Sequence, residues 1–192
     1  MIALINEYTK KLNRAFTPST MHCILTLAEA LEYAWINKNN IYICGNGGSA
    51  SNAAHLANDF LYGAGIKKGI GLKVEALSAN HAVITCLAND IGYENIFSEQ
   101  LRVKANQGDI LLVLSGSGNS LNIVKALEVG TSKGMKTFAI LGFSGGKCKE
   151  LVQFPIHFEI DDMEVVEDLQ LTVGHICKQW LLKRSHSTII SG

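Results

Sequence analysis

Residues 41–50 read Ile41-Tyr-Ile-Cys-Gly-Asn-Gly-Gly-Ser-Ala50. A short apolar run gives way to a glycine-rich bend and then to a stretch of helix-forming residues. Ile41–Cys44 predicts a strand, Gly45–Gly48 a loop and Ser49–Phe60 a helix. The same order returns at Ile110–Leu114, Ser115–Asn119 and Ser120–Lys133. Further strands are expected at Val74–Leu77, Lys136–Leu141 and Ile156–Ile160. Helices are expected at Asn80–Leu87, Glu94–Ala105, Lys147–Val152 and Met163–Arg184, with Asn89–Tyr93 as a helix stop and turn. Gly63–Gly71 reads as a mobile Gly/Lys loop and Ser185–Gly192 as a frayed end. Short apolar strands alternating with helices imply an α/β fold with a parallel doubly wound sheet, its strands buried on both faces.

Two helices precede the first strand. Leu4, Ile5, Tyr8, Leu12 and Phe16 recur at helical spacing, Thr17-Pro18-Ser19 breaks the pattern, and a second helix runs from about Thr20 to Asn37. Neither has a strand of its own to cover. Residues 1–38 therefore form a helical extension that packs on the core or on a neighbouring subunit. The 192 residues fit one domain, and no interior stretch has a linker's composition.

Charge narrows the partners. Seventeen basic and 17 acidic residues cancel, and no basic run points to nucleic acid or a membrane surface. Apolar runs are strand-sized, and the start of the chain lacks the basic-then-apolar order of a secretion signal. Five scattered cysteines, none in CxxC spacing, read as reduced thiols of a cytoplasmic protein.

The chemistry is concentrated in the two loops. Glycines at Gly45, Gly47 and Gly48 let the backbone approach an anion, and the following helix offers free N–H groups and the positive end of its dipole. Gly45-x-Gly47-x-x-Ala50 also satisfies the dinucleotide fingerprint, but that reading requires an acidic residue about twenty positions on, at the end of the second strand. Glu75 is further away and inside its strand. The second loop, Ser115-Gly-Ser-Gly-Asn-Ser120, adds three hydroxyls at another helix start, a donor set suited to a terminal phosphate. Neither loop carries a lysine, which excludes the nucleotide P-loop. A single such loop is more often an ordinary turn with N-cap serines; two at strand carboxyl ends favour a phosphate site.

The helices supply a second set. His55 and Asp59 stand at i and i+4 on one face. Glu167 and His175 are eight residues apart on the last helix, about 12 Å along its axis. Two histidines and two carboxylates suit a divalent metal or an acid/base pair. Each alone is equally well a packed or solvent-facing side chain, and an acidic first helical turn is ordinary dipole compensation.

Three motifs occur in order: Cys44-Gly-Asn-Gly-Gly-Ser-Ala-Ser-Asn-Ala-Ala-His55, Ala88-Asn-Asp-Ile-Gly-Tyr-Glu-Asn-Ile-Phe97 and Gly108-Asp-Ile-Leu-Leu-Val-Leu-Ser-Gly-Ser-Gly-Asn-Ser120. On them the chain resembles the phosphoheptose isomerases of the sugar-isomerase (SIS) domain family, over nearly its whole length. The resemblance implies a three-layer α/β sandwich and a homotetramer with active sites at subunit interfaces. It implies that a sugar phosphate, sedoheptulose 7-phosphate, becomes a heptose 7-phosphate. The phosphate would lie against Ser115, Gly116, Ser117 and Ser120, with Asn46, Gly47, Gly48 and Ser49 from the first loop and Asp90 nearby. Zinc would be bound by His55, Asp59, Glu167 and His175, with Glu167 also facing substrate, Asp59 as the base and His175 as the acid.

The chain departs from the family pattern in four places. Asp59 stands for a glutamate, Glu167 for a glutamine, and Gly63 and Val165 for arginines, leaving Lys67 or Lys68 to supply positive charge near the first loop. The intact histidines favour the enzyme; the departures favour the other reading the resemblance allows. That reading is a non-catalytic SIS protein binding a sugar phosphate or a protein, like relatives associated with the replication initiator.

Overall fold

The computed structural model describes residues 1–63 and 71–188. Five strands form one parallel sheet: β1 (Asn40–Gly45), β2 (Lys73–Ala76), β3 (Ile110–Ser115), β4 (Lys136–Leu141) and β5 (Phe154–His157). Their order is β2-β1-β3-β4-β5. The α-helices among the described residues are α1 (Ile2–Arg14), α2 (Pro18–Asn37), α3 (Gly48–Asn58), α4 (His81–Ile91), α5 (Ser98–Lys104), α6 (Leu121–Ser132), α7 (Gly146–Leu151) and α8 (Met163–Thr188).

The three central strands, β1, β3 and β4, each feed two cores, because successive side chains point to opposite faces. Ile41, Ile43, Ile110, Leu112, Leu114, Phe138 and Ile140 face one layer with α2, α3 and α8. Tyr42, Cys44, Leu111, Val113, Ala139 and Leu141 face the other with α5, α6 and α7. The result is the expected three-layer parallel α/β sandwich. The buried carboxylate of Asp109 helps to fix the strand starts. It accepts the backbone N–H of Asn40 at 2.8 Å and of Asn106 at 2.9 Å, joining the entries to β1 and β3.

The two leading helices behave differently. Thr17 and Thr20 close a capping box around Pro18, so α2 starts two residues before the expected Thr20. It then buries Ile24, Leu27, Ala28, Leu31 and Ala34 against the sheet. No residue of α1 is buried. It is tied to α8 and the loop before it by Tyr8 Oη to Asp168 at 2.7 Å and by Lys11 Nζ to Asp162 at 2.8 Å.

Several boundaries differ from expectation. The helix after the first loop does not run evenly to Phe60; it widens at Asp59 into a π-helical turn, Asp59–Gly63. The helix at 80 continues to Ile91 and stops at Gly92, whose φ of 93° turns the chain. The expected helix from Glu94 opens with a 3-10 turn, Tyr93–Asn95, before α5. The last strand lies earlier, at Phe154–His157, and its Pro155 is tolerated because β5 is an edge strand. Helix α8 continues past Arg184 to Thr188. Residues 64–70, with Lys67 and Lys68, and 189–192 are outside the described set, as is most of the expected mobile loop.

Candidate active site

The strand order reverses direction between β1 and β3, and such a switch point opens a crevice at the strand carboxyl ends. Gly45 pairs with Leu114 across that boundary, so the two Gly/Ser loops leave the sheet side by side. They enclose a cleft of about 280 Å³ lined by Asn46 through Ser49, Leu114 through Ser117, Ser120, Met163 and Glu167. Helices α3 and α6 both start here, and neither has a side-chain cap on its first turn. Their leading N–H groups are left for a ligand.

The serine hydroxyls are set as donors. Ser115 Oγ accepts the N–H of Gly118 at 3.1 Å, and Ser117 Oγ that of Asn119 at 3.3 Å. Ser49 Oγ accepts from Nε2 of the fully buried Gln170 at 3.0 Å. Asn52 donates to the other end of that amide and to the Glu167 carbonyl, both at 3.0 Å, which fixes which end faces Ser49. With an acceptor site filled from inside, each hydroxyl keeps its proton for the cleft. An acceptor-only ligand such as a phosphate complements that arrangement.

A second set of amides locks the loops together. Asn46 and the buried Asn122 exchange hydrogen bonds at 2.9 and 2.8 Å, and Tyr93 Oη donates to Asn46 Oδ1 at 3.0 Å. Asn52, Tyr93, Asn122 and Gln170 were not among the expected site residues. Asn52 and Asn122 each lie just beyond a recognised loop, and no pattern in the sequence pairs Gln170 with Ser49. Asp90, expected near the phosphate, is exposed on α4 and does not line the cleft. Its carboxyl bonds to Asn89 and Cys86, and the Asn89 bond first of all holds it below the ordinary carboxylate range.

Among the described residues no lysine or arginine lines the cleft, and Glu167 brings it a carboxylate. The Glu167 carboxylate lies close against Gly48, where a Cβ would make it swing aside, so α8 sets this side chain over the first loop.

The other functional side chains meet at the far end of the same helix pair. Gly174 lets α8 approach α3 closely, since a Cβ there would meet the Leu56 side chain. That approach brings His175 to His55, with Nε2 atoms 3.1 Å apart. Asp59, at the π-helical turn, places Oδ2 3.4 Å from His175 Nε2 and 3.7 Å from His55 Nε2. Its other oxygen, Oδ1, pairs with Lys178 Nζ at 2.8 Å. Donor atoms of His55, Asp59 and His175 all lie within 4.8 Å of one another. Tetrahedral zinc with bonds of about 2.0–2.2 Å sets neighbouring ligand atoms about 3.3 Å apart, and two imidazoles with one carboxylate leave the open position of a catalytic site. The donor set therefore fits a divalent ion. Glu167 does not join this group; it stands with the cleft.

A larger groove of about 740 Å³ between α1, α2 and the β5–α8 segment contains none of these residues. Cysteine chemistry has no place in the site either. Burial pushes the thiols of Cys148 and Cys177 up to about 11 and about 12, and all five cysteines are free.

Known proteins give the arrangement a context. The SIS domain family model matches residues 6–142. Phosphoheptose isomerase of Helicobacter pylori (strain P12) is 36% identical over 170 residues, 88% of this chain and 86% of the relative. That of Geotalea daltonii is 38% identical over 161 residues, 84% and 83% of the two chains. Among solved structures, phosphoheptose isomerase from Neisseria gonorrhoeae superposes with a TM-score of 0.86 at 25% identity, covering 94% of this chain and 95% of that one. The Francisella tularensis protein gives 0.85 at 26% identity, covering 95% and 98%.

Proposed function

Because the chain belongs to the SIS-domain family, in its phosphoheptose isomerase branch, we propose that it is an aldose–ketose isomerase converting sedoheptulose 7-phosphate to D-glycero-D-manno-heptose 7-phosphate. The observation that carries this reading is the division of labour along α3 and α8. A donor-lined cleft occupies one end of that helix pair and the His55–Asp59–His175 cluster the other. Glu167 beside the cleft and His175 in the cluster are eight residues apart, about 12 Å along α8. That spacing suits a long, extended sugar phosphate held by its phosphate at one end and worked on at the other.

The phosphate would take the N–H groups at the starts of α3 and α6 and the hydroxyls of Ser49, Ser115, Ser117 and Ser120. At the reacting end, the Asp59 carboxylate takes the proton from C1 of the ketose, giving a cis-enediolate. His175 returns a proton to C2, and the hydroxyl proton passes from O1 to O2, so the product is an isomer. A divalent ion, for which we propose zinc, would be held by His55, Asp59 and His175 and supplies polarisation of the carbonyl and hydroxyl oxygens when bound. Of the roles the resemblance allows Glu167, its position over Gly48 supports the substrate-facing one.

A protein kept only for binding gains nothing from two imidazoles and a carboxylate gathered this closely, which favours the enzyme over the non-catalytic reading. We further propose that the 192 residues act as one SIS unit, in the cytoplasm, as a homotetramer with sites at subunit interfaces. No helix among the described residues is long and apolar enough to cross a membrane.

Asp59→Asn and His175→Ala test the roles. Both should lower turnover of sedoheptulose 7-phosphate by at least 100-fold, while calorimetry still detects binding of the sugar phosphate. Full activity in either variant would overturn the assignment.

A further inference from the structure

The ion pair between Lys178 and Asp59 has no role in the reaction just described, yet it sits inside the cluster. Lys178 follows His175 by three residues, so both side chains leave the same face of α8. The Lys178 ammonium reaches Asp59 Oδ1 at 2.8 Å, while Oδ2 faces His55 and His175. The Asp59 side chain is only 13% exposed and that of Lys178 26%, so the pair is largely shielded from water. The carboxylate is thus divided, with one oxygen held by a fixed cation and the other turned to the imidazoles.

We propose that Lys178 is a resident cation of this cluster that limits its occupancy by a divalent ion. A carboxylate is the strongest attraction His55, Asp59 and His175 together offer to a metal. Here half of it is neutralised from within the chain, and a second cation entering beside the first meets like-charge repulsion in a poorly screened place. An ion can use Oδ2 alone while Lys178 remains, or must displace the ammonium to reach both oxygens. Lys178 also holds the shortened Asp59 side chain in one orientation, so Oδ2 stays turned to His175 when the cluster is empty. The proposal concerns cation binding and does not need the sugar to be sedoheptulose 7-phosphate. It rests on the proposed metal-binding role of the three residues.

The test is zinc affinity, measured on the full chain by competition with a chromophoric chelator. Lys178→Met keeps the apolar stem and removes the charge; Lys178→Gln is the second variant, and thermal melting confirms that each is folded. Both should bind zinc at least tenfold more tightly than the parent chain. Adding His55→Ala to either should abolish the gain, which separates this cluster from exposed cysteines. Unchanged or weaker affinity in the folded variants would overturn the proposal. So would a gain that survives His55→Ala. Because no sugar is present, failure here is distinct from failure of the isomerase reading, which turnover of the parent chain tests separately.

Discussion

Glu167 and the serines of the two loops line the same cleft and would act on the proposed sugar phosphate in opposite directions. Ser115, Ser117 and Ser49 each have a lone pair filled by an internal N–H, so each hydroxyl is poised to donate. Replacing Ser115 or Ser117 by alanine removes one donor to a charged group, a loss of about 1.5–3 kcal/mol. KM for the sugar phosphate should rise at least tenfold in steady-state kinetics, with kcat changed far less. The Glu167 carboxylate instead repels a phosphate dianion. Glu167→Gln should lower KM about tenfold, equivalent to about 1.4 kcal/mol. A KM that rises would show that the carboxylate accepts a substrate hydroxyl strongly enough to outweigh the repulsion.

At the scale of elements, the crossing of α3 and α8 brings His55, Asp59 and His175 together, and Gly174 sets how close the helices come. Gly174→Val should push the helices apart against Leu56 and separate His175 from Asp59. A displacement of about 1 Å at a reacting group can cost about 100-fold, so kcat should fall by that order while KM barely moves. Helix α1 has a different attachment. The hydrogen bond from Lys11 holds the Asp162 carboxyl below the ordinary carboxylate range. The tie is therefore complete at neutral pH and is lost only in acid, as pH falls through that lowered value. Lys11→Ala should raise amide hydrogen exchange in residues 2–14 at pH 7 without changing that of α2.

These elements also mark how far the sequence could be read. The strand–loop–helix order, both Gly/Ser loops and the i, i+4 pair of His55 and Asp59 were legible because local periodicity and glycine spacing encode them. The π-helical turn at Asp59 was not, because it depends on how α3 ends against α8 and leaves no local pattern. Gln170 behind Ser49, Asn122 opposite Asn46 and Lys178 on Asp59 are long-range partners brought together only by packing. Glu167 was singled out from its place on the last helix, but spacing alone could not say whether it joined the histidines or the cleft. In the structure its carboxylate lies against Gly48 and lines the cleft.

For the whole molecule, the two leading helices present apolar surface that the single chain does not cover. Ile2, Leu4 and Ile5 on α1 and Met21, Leu25, Tyr33 and Ile36 on α2 are all exposed. The proposed homotetramer would use such a surface, since contiguous apolar patches on soluble proteins mark interaction sites. Sedimentation should give four times the 20.8 kDa chain mass, and Ile36→Asp combined with Leu25→Asp should yield smaller species. The proposed reaction depends on the cleft and the histidine cluster working on one substrate. The most direct measurement is incubation of sedoheptulose 7-phosphate with the zinc-supplemented protein, with the isomers separated by chromatography because they share one mass. The account predicts that a heptose 7-phosphate appears with the parent chain and not with Asp59→Asn. Sedoheptulose 7-phosphate returned unchanged by the folded, zinc-supplemented parent would contradict it.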